Sequence, residues 1–69
     1  SLYAGLFDGH ERFSIPLKAQ RRTYVHLVKG QLSVNAHTLL AGDALLMEHE
    51  SNLVLEQGQG AEVLVFDLN

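Results

Sequence analysis

The 69-residue chain has no cysteine, which excludes disulfide staples and thiolate metal sites alike. A reducing, cytoplasmic setting fits that composition. Long apolar runs are also missing. None approaches the ~20 residues that a bilayer-spanning helix needs, so no membrane partner is expected. Lys and Arg form no long run, and the net charge is -3 from eight acidic and five basic residues. That balance argues against a nucleic-acid partner. The opening Ser1-Leu2-Tyr3 has no basic segment before an apolar stretch, so no signal peptide is expected. The first residue is Ser rather than Met, as in a processed chain or a piece of a longer one. A domain this small buries only about 60% of the surface its unfolded chain exposes. Histidine or carboxylate metal binding, or association with another domain or subunit, is therefore the expected source of extra stability.

What the chain does have is closely spaced turn chemistry: Asp8-Gly9, Lys29-Gly30, Asn35-Ala36, Gly42-Asp43 and Gly58-Gln59-Gly60. Segments rich in Val, Leu, Tyr and Phe lie between. This punctuation predicts an all-β sandwich or barrel of about eight short antiparallel strands. They are placed at 2–7, 12–17, 22–28, 31–34, 38–40, 44–48, 52–56 and 61–68. Gly42-Asp43 interrupts the helix-forming composition of 39–50, which favours strand–turn–strand. The single proline, Pro16, cannot donate to a ladder, so the second strand is an edge or ends there. Residues 18–21 read as a loop. Gln57-Gly58-Gln59-Gly60 lacks the Lys-Ser or Lys-Thr of a phosphate loop and reads as a hairpin turn. The serines have no Gly-x-Ser-x-Gly context.

Alternation assigns faces. Thr23, Val25 and Leu27 share one side of the third strand, and Tyr24, His26 and Val28 the other. Leu53 and Leu55 face together, opposite Asn52, Val54 and Glu56. Val63-Leu64-Val65-Phe66 is apolar on both sides. A strand with one wet face would alternate with polar residues, so this one is either central in a two-layer core or covered on its outer side, and in so small a chain a second domain or subunit is the expected cover.

The segment Tyr24 to Val34, with its Lys29-Gly30 turn, followed by Leu40-Ala41-Gly42-Asp43-Ala44, resembles a cupin, and implies a jelly-roll barrel. With Leu2-Tyr3-Ala4-Gly5-Leu6 at the start and Glu62 to Leu68 at the end, nearly the whole chain is similar to the C-terminal half of pirin-like proteins. These are two-cupin proteins, some of them quercetin 2,3-dioxygenases. The resemblance implies a metal held by two histidines one residue apart, a glutamate, and a third histidine in a later block. Counting back seven residues from Gly30 puts Thr23 in the glutamate slot. The paired histidine slots fall near Leu17 and Ala19, or Pro16 and Lys18, and the third near Leu53. None is a strong ligand, and a neutral hydroxyl is a poor one. The resemblance also implies that the metal belongs to the N-terminal cupin. The chain is therefore expected to carry no cofactor, to be no enzyme on its own, and to pair with a second cupin domain or another copy of itself. The expected interface is Tyr24, His26, Val28, Leu64 and Phe66.

Other candidates are weaker. Glu48-His49-Glu50 is the densest run of ligand types. Adjacent strand residues point to opposite faces, so only Glu48 and Glu50 can converge, and His37 or His10 would have to complete a site. Arg21-Arg22 with Lys18 is a local basic patch able to hold an anion or a carboxylate. A metal-free barrel could also hold an apolar molecule between Val25, Leu27, Leu53 and Leu55.

Overall fold

The computed structural model describes residues 2–17 and 22–68. The Ala19 slot, the Lys18 alternative, the 18–21 loop and the Arg21 part of the basic patch lie outside them. Two long strands organise the molecule. β3 (Arg22–Val34) and β6 (Asn52–Leu68) pair antiparallel, and each carries two short strands on its other edge. β5 (Ala44–Met47) pairs with the first half of β3, and β4 (His37–Leu40) with the second. β2 (Arg12–Pro16) pairs with the first half of β6, and β1 (Leu2–Phe7) with its second half. β2 is thus an edge strand that stops at Pro16, as the missing N–H requires.

Neither long strand can be straight. At ~3.3 Å per residue β6 alone would reach about 53 Å, whereas the longest dimension of the molecule is 31 Å. The bend falls where the β3–β6 register slips, between Leu27 and Ser33. Bulges of this kind bend and twist a strand. Gly30 sits inside the slip with φ 77°, and a Cβ on it would collide with the backbone carbonyl oxygens of Gln59 and Gly60. Across the bend Gly58 is buried, with no room for a Cβ beside Phe7.

The bend corrects two expectations. Lys29-Gly30 and Gln57–Gly60 are not hairpin turns but kinks within continuous strands. The eight expected strands are six, because 22–28 and 31–34 are one strand, and 52–56 and 61–68 another. Glycine admits positive φ and close backbone approach in either setting. The all-β antiparallel architecture stands, with no helix among the described residues.

Bending folds the single sheet onto itself. One half contributes Phe7, Val25, Leu27, Met47, Val63 and Val65 to the interior, and the other Leu32, Val34, Leu39, Leu53 and Leu55, all in one buried cluster. Tyr3 on β1 stacks on Phe13 of β2 at 5.0 Å and closes the core along that edge. Among the described residues no buried side-chain polar atom lacks a partner.

Short connections hold the bend. Asn35 and Ala36 (φ 47° and 68°) form the two-residue turn between β3 and β4, of the doubly left-handed kind that suits hairpin twist. In the Leu40–Asp43 turn, Asp43 N–H donates to the Leu40 carbonyl (2.8 Å), and Leu40 N–H donates to Asp43 Oδ2 (2.9 Å). This turn docks on the slipped strand: Leu27 N–H donates to the Asp43 carbonyl (2.9 Å), and Gly42 N–H to the Leu27 carbonyl (2.8 Å). After β1, the Asp8 carboxylate accepts from Gly60 N–H at 3.2 Å. Asp8 N–H donates to Glu11 Oε1 at 2.9 Å. That hydrogen bond is the leading cause holding the Glu11 carboxyl below its ordinary value of 4.5.

Gly30→Ala is expected to lose at least about 2 kcal/mol in urea unfolding, because strained φ and steric conflict add. Ala36→Gly should gain up to ~1 kcal/mol by relieving a left-handed alanine. Glu11 favours the ionised folded form, so its small contribution is complete above pH 4.5 and lost as pH falls through the depressed value. An acid titration of Glu11→Gln against the parent chain should show the two stabilities converging at the acid end.

Candidate functional site

The interior is the first place to look, because there the implied metal slots would converge. Thr23 is 2% exposed and Leu53 fully buried, both facing inward; Leu17 is half-buried against the same core. Thr23 lies opposite Met47 on one side and Asp67 on the other. Of these slots only Thr23 carries a side-chain oxygen, and Pro16, the alternative, is exposed at the end of β2. These residues do not fit a divalent ion, which needs three or more protein ligands. Val25, Leu27, Leu53 and Leu55 are fully buried in the core cluster.

The second candidate set is partly assembled. His37, Glu48 and Glu50 line one open cleft of about 180 Å³ together with Asn35 and Met47. Glu48 and Glu50 follow the end of β5, and His37 opens β4. His10 lies elsewhere, on the β1–β2 connection. Among the described residues no group of three or more His, Cys, Asp or Glu is placed to hold a metal ion.

Asn35 is the residue of this cleft that sequence reasoning undervalued. Its Oδ1 accepts from Val54 N–H (2.7 Å), its Nδ2 donates to the Asn52 carbonyl (2.8 Å), and its own N–H donates to the Val54 carbonyl (2.9 Å). The side chain acts as an extra rung that ties the β3–β4 turn to β6. A turn asparagine announces itself in sequence, but a partner nineteen residues away does not.

The third candidate is the outer face of the layer made by β1, the second half of β6, the first half of β3, and β5. Ladder registers align Leu2, Phe66, Tyr24 and Leu46 in one row across four strands, and Ala4, Leu64, His26 and Ala44 in the next. Leu2, Tyr24, Val28 and Leu46 are exposed, while Leu64, Phe66 and His26 are half-buried. Tyr24 and Phe66 touch as a cross-strand pair, centroids 6.0 Å apart. The expected interface residues thus share one surface, and His26 points away from the interior. The outer side of the other layer is more polar: Arg12 pairs with Glu56 at 3.5 Å, beside Ser14 and Asn52, and Leu40 is its exposed large apolar residue. Neighbouring exposed apolar side chains make this face the candidate interaction surface.

Comparison with known proteins gives this bent, two-layer antiparallel sheet with its apolar interior a family. Residues 1–68 match the quercetinase C-terminal cupin domain family, and the chain belongs to it. It is 47% identical over 55 residues to "Putative quercetin 2,3-dioxygenase PM1685" of Pasteurella multocida (strain Pm70), a match covering 80% of this chain and 24% of that protein. It is similar to the crystal structure of YhhW from Escherichia coli, with a TM-score of 0.92, 28% identity, and coverage of 99% of this chain and 29% of that one. The structure of bacterial pirin YhhW from Escherichia coli in complex with nickel(II) matches with a TM-score of 0.90 and 28% identity, over 97% of this chain and 29% of that one. The chain therefore spans roughly a quarter of the length of these relatives.

Asn35→Gly keeps the turn backbone but removes the side-chain rung. It is expected to cost about 1–3 kcal/mol in chemical denaturation, since Val54 N–H loses its acceptor.

Proposed function

We propose that this chain is a non-catalytic, metal-free cupin module whose outer apolar face packs against the N-terminal cupin domain of a pirin-like protein. The observation that carries the proposal is one apolar row, Leu2, Phe66, Tyr24 and Leu46, running across four strands beside a second row that is apolar but for His26. The interior supports it: among the described residues an apolar core with Thr23 and Ser33 as its buried polar residues offers neither a set of metal ligands nor a general base. Family membership supplies the partner, because a C-terminal cupin domain implies an N-terminal one. Whatever dioxygenase chemistry a parent protein performs belongs, on this reading, to the other half, and the module's role is to cover and stabilise it. Tyr24 and Phe66 are the natural anchors, since aromatic side chains dominate interface energetics. A cytoplasmic setting suits a chain without cysteine. No helix among the described residues is long and apolar enough to cross a membrane.

The proposal expects a cupin carrying two histidines, a glutamate and a third histidine in the reading frame upstream of Ser1. Produced separately, that half should bind this chain. Leu64→Lys and Leu46→Lys together should weaken the complex at least about tenfold, with the far-ultraviolet dichroism of the chain unchanged. Unaltered binding would contradict the assignment of this face.

A further inference from the structure

His26 is the polar exception in the two rows of the outer face. The row of Leu2, Phe66, Tyr24 and Leu46 carries large side chains throughout, whereas the next row is lower, with Ala4 and Ala44 at its ends and Leu64 and His26 between them. An open hollow lined by Ala4, Leu6, Glu62 and Leu64 marks the β1 end of that lower row. Farther along it, His26 has Leu64 on one side and Ala44 on the other. The methyl group of Ala44 is too short to cover the imidazole.

The ring is half-buried, and among the described residues no hydrogen bond or ion pair reaches it. Glu62, diagonally across on β6, does not pair with it. Among the described residues no side-chain polar atom is both buried and unpaired, so water still reaches the ring nitrogens. Covering the face removes that water. In every protonation state imidazole carries at least one N–H. A donor buried without an acceptor costs the loss of its hydration, a cost that leucine at the same position would not incur.

We propose that His26 is the specificity-determining residue of this interface: the N-terminal cupin surface that covers it presents an acceptor oxygen to the ring N–H. This rests on the outer-face reading and adds to it the chemistry that the covering surface must offer. Apolar rows alone tolerate sliding, because one apolar contact substitutes for another. A single directional bond among them fixes one alignment and penalises a surface that lacks the acceptor.

The test uses the complex of this chain with the co-produced upstream half, its dissociation constant read from dilution. His26→Leu should weaken the complex at least about tenfold although it makes the face more apolar, because the facing acceptor is left buried and unpaired. Of His26→Gln and His26→Asn, whose amide nitrogens stand in for one or the other ring N–H, at least one should recover most of that loss. Nuclear magnetic resonance of the parent complex should show a His26 ring N–H protected from exchange with water, which the free chain lacks. A His26→Leu complex as tight as the parent, with Leu64→Lys still disruptive, would overturn this inference and leave the face assigned. Absence of a complex, or tight binding by both variants, would overturn the face and the inference together.

Discussion

The close crossing of β3 over β6 at Gly30 is the constraint on which the rest of the structure depends. Where the two backbones meet, neither a side chain nor regular ladder geometry fits, so the register slips and both strands bend. Without the bend, two long strands would form one flat sheet with two wet faces and no interior. With it, the halves close on each other and a dozen apolar side chains reach one core. Polar contacts then hold the folded geometry. The Gly42-Asp43 turn satisfies the backbone of Leu27 beside the slip, Asp8 satisfies Gly60, and the Asn35 amide extends the ladder past the end of β3. Each serves a backbone group that bending would otherwise leave unpaired, which in a small domain would cost a large fraction of its stability.

Closing the sheet in this way determines what the interior can do. Its inward positions are apolar, mostly Leu and Val, and the slots that the family resemblance implies for imidazole and carboxylate fall on Leu17, Thr23 and Leu53. Apolar packing gives a chain without disulfides a core of its own, and it removes the donors on which metal chemistry depends. The apolar surface that remains outside is then the feature with the greatest capacity for function. Membership of the quercetinase C-terminal cupin family fits the proposed division of labour, in which a filled interior leaves binding to the exterior.

Much of this was legible in the sequence, because strand faces follow a period of two. The inward set Thr23, Val25 and Leu27, the outward set Tyr24, His26 and Val28, and the opposed Leu53 and Leu55 all follow from alternation. Pro16 marked an edge through its missing N–H. The order and spacing of the glycine turns carried the family. The bends were not legible, since Gly30 and Gly58 offer the same conformational freedom to a hairpin and to a kinked strand. The Asn35 rung depends on a partner far along the chain. The two rows on the outer face depend on four strands being in register at once, a property of non-local pairing. His37, Glu48 and Glu50 share a cleft that composition alone suggested, yet the described residues do not form a ligand set.

The central claim is that the barrel interior of this module is built to exclude a metal. The direct measurement is metal content: chelate the folded chain, incubate it with excess iron(II) or nickel(II), remove free ion by gel filtration, and determine the ratio of metal to protein. The account predicts a small fraction of an ion per chain and an unchanged melting temperature. One tightly held ion per chain, with nuclear magnetic resonance shifts centred on Thr23 and Leu53, would contradict it.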